Sequence, residues 1–421
     1  MEKISIDFKY GNTKKHFTIP QKNVLDILQM KDVKPEKPYK EIINESLDSP
    51  IGKSKLEDYL QENNPENIVI IVSDITRPGP FDKILETLLP RIEQMDADYQ
   101  IEILIANGTH REMTEKEMRY HYGDYTVDNY PILNHDCRAD DLVSLGKMES
   151  GNELKINKKV ADADFIMTIG IIKPHYFAGY SGGRKSILPG ISGYETIRAN
   201  HSRIIHKYAK LGKLIGNKIN LEMQDAADML EVDFAINMIL NRDKKIVYCF
   251  SGDITSVFRT GTQLYRKNFS LKFSEKADVI FAAVGGYPKD INFYQSQKTL
   301  NNVINLVKDG GTIVLVTASE EGIGQPELEK VLEAAASIED LFDVKQSEIQ
   351  IGGHRAFATG RLLQKADILV MSEMSDELVK DIHFEPISSF GQAFDFIKDK
   401  HGEDYKSYIV PVGSSLFAVQ K

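Results

Sequence analysis

The chain has no tryptophan and only two cysteines among its 421 residues. Cys137 and Cys249 lie too far apart in sequence for a metal knuckle, and two cysteines cannot make a disulfide framework. No apolar run approaches the roughly 18 residues that a membrane-spanning helix needs. The opening segment MEKISIDFKYGNTKK mixes charged and apolar positions, so no signal peptide is expected. An excess of basic charge is missing too: 52 Lys and Arg face 62 Asp and Glu, a net charge of −10. These absences predict a cytoplasmic protein with no membrane and no nucleic-acid partner. Apolar residues at 42% and charged residues at 27% are ordinary for a globular chain. At about 150 residues per domain, the length suggests two or three domains.

What is present is a repeated pattern. After an opening hairpin around Gly11-Asn12, short continuous apolar runs recur at 68–72, 101–106, 165–172, 236–240, 279–284, 312–317 and 368–371. Most are followed by a turn and then a helical pattern. Runs of this kind predict buried parallel strands with helices on both faces, hence an α/β fold with mostly parallel sheets and sites at the strand C-terminal ends. Thr114 with Glu117, and Ser192 with Glu195, read as capping boxes, the second opening a helix that carries His201. A charged stretch at 262–276 precedes a new strand, which predicts an N-terminal domain over 1–270 and a C-terminal domain over 271–421.

Four polar clusters each lie just past a predicted strand or cap. The first is Ser73-Asp74-Ile75-Thr76-Arg77-Pro78, where a helix N-terminus behind Thr and Arg suits an anion. The second is Asn107-Gly108-Thr109-His110-Arg111, with a histidine placed for acid–base work. The third runs from Lys173 to Ser186 and contains His175. Its end nearly matches a phosphate loop, but Arg184 replaces a glycine and Pro189-Gly190 follows at once, so no helix is expected at Lys185 and an ordinary nucleotide triphosphatase is rejected. Lys185 still emerges from a glycine-rich loop among cationic neighbours, as nucleophilic lysines do. The fourth is Asn200-His201. Further on, Tyr294, Gln295 and Lys298 would share one end of a helix and suit a small carboxylate. His16, His121, His206, His383 and His401 read as hairpin, helix-surface or loop residues. His135 beside Cys137 reads as structural, and Gly352-Gly353-His354-Arg355 as a weak pocket candidate.

Taken together, D-x-T-R-P, N-G-T-H-R, K-P-H-Y-F-A-G-Y-S-G-G-R-K, N-H and Y-Q-x-x-K resemble, in content and order, the nickel-pincer lactate racemase family. The resemblance implies two α/β domains with the active site in the cleft between them. It implies a nickel-pincer nucleotide (pyridinium-3-thioamide-5-thiocarboxylic acid mononucleotide) tethered at Lys185, put in place by cofactor-biosynthesis enzymes. His201 would be the protein ligand to nickel, and Lys185 would hold the metal through the tethered group. His110 and His175 would be the acid–base pair. Asp74, Ile75, Thr76 and Arg77 would cradle the cofactor. Arg77, Tyr294, Gln295 and Lys298 would bind a 2-hydroxy acid.

That inventory suits racemisation. Removing a proton beside a carboxylate builds a dianion, whereas removing hydride gives a planar 2-keto acid that can be reduced on either face. Each enantiomer puts its hydroxyl in a different place, so two histidines are needed. The lack of tryptophan means that none lines the pocket. Two other readings stay open at this point. A zinc hydrolase could use His110, His175 and His201, and a two-domain protein could bind an anion without turnover.

Overall fold

The computed structural model describes residues 2–95, 97–342, 349 and 353–421. The chain divides into two compact units, one of Asp32–Asn268 and the other of Met1–Lys31 with Phe269–Lys421. The break near 268 falls inside the charged stretch that the sequence marks. The first 31 residues, however, belong with the C-terminal unit and not with a domain spanning 1–270. The reason is apolar: Phe17 of the opening hairpin stacks on Phe281 and Phe390 at ring distances of 5.3 and 4.3 Å. The strand Val24–Ile27 then adds to the edge of that unit's sheet, beside Ser407–Val410.

That sheet has six strands in the order Glu385–Pro386, Ala366–Met371, Val307–Val316, Ala277–Ala283, Ser407–Val410 and Val24–Ile27, all parallel. Its two faces are buried by separate apolar clusters, one around Ile280, Ile313 and Ile368 and the other around Phe281, Val314 and Leu369.

The unit Asp32–Asn268 also has a six-stranded sheet. Its order is Ile246–Gly252, Phe234–Leu240, Phe165–Ile171, Asn67–Ser73, Gln100–Ala106 and Ile132–Asn134. Only Ile246–Gly252 runs antiparallel, at one edge. The helix Phe81–Glu93 buries Phe81, Ile84, Leu85, Leu88 and Ile92 on one stripe, at helical spacing, against this sheet's core.

Three local expectations fail. Ser192 is not a cap: its hydroxyl donates to the Ile187 carbonyl, and the helix Tyr194–Ser202 starts after Gly193 with no side-chain cap. A one-turn helix, Arg184–Ile187, does form at Lys185, because it can close before Pro189 intervenes. The Thr114–Glu117 capping box is present. His121 lies buried on its helix, its ring 4.9 Å from that of Phe81, and is not a surface residue.

The sheet order positions the site. Phe165–Ile171, Asn67–Ser73 and Gln100–Ala106 are adjacent and parallel, so their C-terminal ends share one sheet edge. With strands about 4.8 Å apart, the three loops that leave them start within roughly 10 Å of one another. A cavity of about 380 Å³ at the opposite edge, beside Asn67, Gln100 and Lys159, lies away from these loops. Among the described residues, no helix is long and apolar enough to cross a membrane.

Candidate active site

Asp74 follows its strand directly and is buried, with a backbone turn closed by the Arg77 N–H on the Asp74 carbonyl (3.0 Å). Its two carboxylate oxygens are both engaged. Oδ2 lies 2.7 Å from His110 Nδ1, and Oδ1 accepts from the Thr76 hydroxyl at 2.8 Å. Thr76 Oγ1 in turn accepts from Arg77 Nη1 at 2.7 Å. Ile75 turns back onto the sheet's apolar core. A carboxylate only accepts, so the proton of that short bond belongs to His110 Nδ1, and Nε2 is the nitrogen left to exchange protons. Burial pushes the Asp74 carboxyl up, but the hydrogen bonds from His110 and Thr76 and the Arg77 charge outweigh it and hold the group below its ordinary value.

The loop that brings His110 here is built on a buried asparagine. Asn107 donates to the Arg111 carbonyl and to Asn134 Oδ1, both at 3.1 Å, while its own oxygen accepts the His135 N–H at 3.0 Å. Gly108 takes φ +57°, which a side chain rarely tolerates, and its N–H binds the Gly190 carbonyl at 2.8 Å. The His110 loop is thereby tied to the segment that follows Lys185. His135 is structural, with one ring nitrogen 3.0 Å from the Ser192 carbonyl and the other 3.1 Å from Asn157 Nδ2.

The third loop folds as a two-residue ladder of Pro174–His175 with Gly179–Tyr180. Phe177 at its tip is the shared surface of the site. Its ring lies 4.5 Å from the His175 ring, 5.0 Å from the His201 ring and 5.5 Å from Lys185 Nζ. His175 is further held by stacking on Tyr176 and by the Ala178 N–H, which donates to Nδ1 at 3.3 Å. Gly183 opens the lysine turn; its N–H donates to buried Asn237 (2.9 Å), and a Cβ there would come 2.6 Å from Thr168 Oγ1. Only glycine fits that approach.

Lys185 is therefore delivered into cationic surroundings. Desolvation, and then the charges of Arg77, Arg184 and Lys173, push its ammonium well below the ordinary lysine value. Lys173 is pushed down to about 8 by the same desolvation and by Arg77. Both effects bias the Lys185 amine toward its neutral, nucleophilic form, and the same cations favour an anion nearby.

Tyr294, Gln295 and Lys298 lie in the other unit, on the helix Phe293–Val303, where Lys298 Nζ donates to Gln295 Oε1 at 2.6 Å. Arg355 joins them. Its guanidinium sits 3.8 Å above the Tyr294 ring and donates to the Tyr294 carbonyl and to Gln297 Oε1, both at 3.2 Å. Gln297 is buried with its amide hydrogen-bonded to Arg355 and Thr359; the sequence signal for it is a glutamine on the helix stripe that Phe293 and Leu300 bury. Gly352 lies outside the described residues, whereas His354 and Arg355 open the helix Gly353–Lys365.

Within Asp32–Asn268, then, Asp74, Thr76, Arg77 and His110 form one hydrogen-bonded group, and His175, His201 and Lys185 form another around Phe177. Phe177 and Asn107 are the scaffold residues whose roles the motifs did not disclose. Among the described residues, no three His, Cys, Asp or Glu side chains gather to hold a metal. The zinc-hydrolase reading thus lacks its ligand set, whereas an arrangement that needs a single imidazole does not.

Comparison with known proteins adds a second line. Residues 10–212 match the model of the lactate racemase N-terminal domain, and residues 273–418 that of the lactate racemase C-terminal domain. A lactate racemase of Lactiplantibacillus plantarum is 34% identical over 381 residues, 89% of each chain. One of Thermoanaerobacterium thermosaccharolyticum is 32% identical, covering 99% of this chain and all of the relative. The solved lactate racemase apoprotein of T. thermosaccharolyticum superposes with a TM-score of 0.92 at 31% identity, over 99% of this chain and 100% of that one. A Thermotoga maritima protein of 16% identity shares the fold, with a TM-score of 0.66 over 93% of this chain and 100% of that one.

Proposed function

Because the chain belongs to the lactate racemase family, a family of isomerases, we propose that it interconverts the enantiomers of lactate or a closely related 2-hydroxy acid. The observation that carries this reading is the pair of groups around Asp74 and Phe177: two histidines and one desolvated lysine delivered by three adjacent parallel strands. We propose a nickel-pincer nucleotide as its cofactor, tethered at Lys185.

The residues present suit that group. The Lys185 amine is desolvated beside three cations, which favours the neutral, bond-forming form and the approach of an anionic nucleotide. His201 offers one imidazole against the same aromatic ring that Lys185 faces, a donor suited to nickel. Asp74, Ile75, Thr76 and Arg77 would cradle the nucleotide. When bound, the cofactor would supply an electron-poor pyridinium that takes hydride from the substrate's C2 and returns it.

The protein's own part is orientation and proton movement. His110 takes or gives the hydroxyl proton of one enantiomer through Nε2, with Asp74 fixing its tautomer and stabilising the imidazolium. His175 serves the other enantiomer, its ring plane set by Tyr176 and Phe177. Arg77 reaches the substrate carboxylate, and Tyr294, Gln295 and Lys298 bind its carboxylate and hydroxyl. Partners then include the enzymes that make and load the cofactor. Both cysteines are free, in keeping with a cytoplasmic location.

Substrate deuterated at C2 tests the proposal. Loaded enzyme in ordinary water should yield the opposite enantiomer with its label retained, because hydride returns to the carbon it left. Loss of the label to solvent would mean proton abstraction instead. Failure to racemise any of a panel of chiral 2-hydroxy acids after loading would leave the anion-binding alternative.

A further inference from the structure

His201 occupies the last turn of the helix Tyr194–Ser202, and that helix has no side-chain cap at its start. What fixes its end is a buried carboxylate one helix further on. Glu222 lies on Lys218–Met229, 2% exposed, on the face that also buries Ile219, Met223 and Ala226. Its Oε2 accepts from Asn200 Nδ2 at 2.8 Å and pairs with Arg203 Nε at 3.2 Å. Asn200 and Arg203 bracket His201 in sequence. The other oxygen, Oε1, accepts from Asn152 Nδ2 at 2.6 Å and from the Ser150 hydroxyl.

Ser150 and Asn152 sit at the turn between Val143–Lys147 and Glu153–Ile156. That turn is fastened to the same helix by the Glu149 N–H on Asp225 (2.6 Å). The hairpin also holds the start of the His201 helix: Gly193 N–H binds the Lys155 carbonyl at 2.8 Å, and the Thr196 hydroxyl binds the Glu153 carbonyl at 2.8 Å. Both ends of the His201 helix are therefore referred to one rigid piece, with Glu222 at its centre.

Burying a carboxylate is expensive unless every lone pair is used, and an apolar residue would stabilise that helix face at least as well. Glu222 is instead engaged at both oxygens, by Asn200 and the Arg203 charge at one and by Ser150 and Asn152 at the other, which fixes its position more than it adds stability. We propose that Glu222 is a positioning residue for His201, which, through Asn200 and Arg203, sets the direction in which the imidazole points. This rests on the reading of His201 as the nickel ligand. It extends that reading to Glu222, Asn200 and Arg203, which would act on the metal only through the imidazole they position.

The test uses cofactor-loaded protein with Glu222→Gln, Asn200→Ala and His201→Ala. Intact mass reports the Lys185 adduct, and thermal melting reports the fold. Nickel release into excess EDTA, the visible absorption of the loaded protein and the kcat and KM values report the site. Glu222→Gln and Asn200→Ala should keep the adduct and the fold but release nickel roughly 10- to 100-fold faster, with a shifted absorption band and a fall in kcat at near-constant KM. Should Glu222→Gln fail to fold, the same nickel and spectral result in Asn200→Ala alone supports the proposal. If both variants hold nickel with an unchanged spectrum while His201→Ala loses it, Glu222 is merely structural and the proposal is overturned, although the ligand reading survives. If His201→Ala itself holds nickel like the unaltered enzyme, the ligand reading fails and takes the proposal with it.

Discussion

Asp74→Asn is the substitution whose consequences can be worked out furthest. It is nearly isosteric, and it strikes a side chain that is 4% exposed and bound to His110 Nδ1 at 2.7 Å. A hydrogen bond to a charged partner contributes about 1.5–3 kcal/mol. If that support is felt when His110 becomes an imidazolium, kcat should fall roughly 10- to 100-fold, at about 1.4 kcal/mol per tenfold. The assay is polarimetric, on loaded enzyme, starting from each enantiomer separately. Because enantiomers have equal free energies, kcat/KM must fall by the same factor in both directions, even with His110 proposed to serve only one of them; unequal factors would reveal an impure preparation. A parallel readout is acid stability. The Asp74 carboxyl is held below its ordinary value in the fold, so its stabilisation is present above the unfolded value of about 3.9 and is lost as pH falls through the lower folded value. The melting temperatures of Asp74→Asn and the unaltered protein should therefore differ most above about pH 4 and converge in stronger acid. Unchanged kcat together with an unchanged acid limb would refute the claim that Asp74 supports His110.

Three further outcomes follow from the same geometry. Limited acetylation of unloaded protein, read by peptide mass spectrometry across pH, should label Lys185 below the range in which surface lysines react, and Arg77→Gln should move that midpoint upward; Lys185 labelling in step with surface lysines would contradict its desolvated, cation-flanked setting. Gly183→Ala should destabilise the protein by about 1–3 kcal/mol and reduce loading, and Thr168→Ala in the same chain should recover most of both, since the Cβ meets Thr168 Oγ1 at 2.6 Å; no recovery would place the conflict elsewhere. Arg355→Met should raise KM a few-fold with little change in kcat, through loss of a cation–π contact of about 0.5–2 kcal/mol that holds Tyr294; a fall in kcat at constant KM would argue against that role.

The strands were legible because parallel strands covered on both faces must be continuously apolar, and runs such as 68–72 and 165–172 have few other uses. His110, His175 and Lys185 were legible for the complementary reason: polar clusters directly after such runs come out at one sheet edge. What escaped was carried by long-range packing. Nothing local in Lys3–Tyr10 says that its hairpin stacks on Phe281 and Phe390, so the opening residues read as part of the first domain. The turn at Lys185 looked barred by Pro189, although one helical turn fits before it. Glu222 did leave a trace, a carboxylate on the apolar stripe of Ile219, Met223 and Ala226. A charge on that stripe signals a buried partner, but the identity of the partners, Asn152, Asn200 and Arg203, is set by the folded chain alone.

The most direct measurement is made on protein co-produced with the cofactor-making enzymes, by intact mass and lactate racemisation, beside the same preparation of Lys185→Ala. The unaltered protein should carry a single adduct at Lys185 and bring either enantiomer to the racemate, and the variant should do neither. A Lys185→Ala protein that racemises lactate at the unaltered rate would contradict the account at its root.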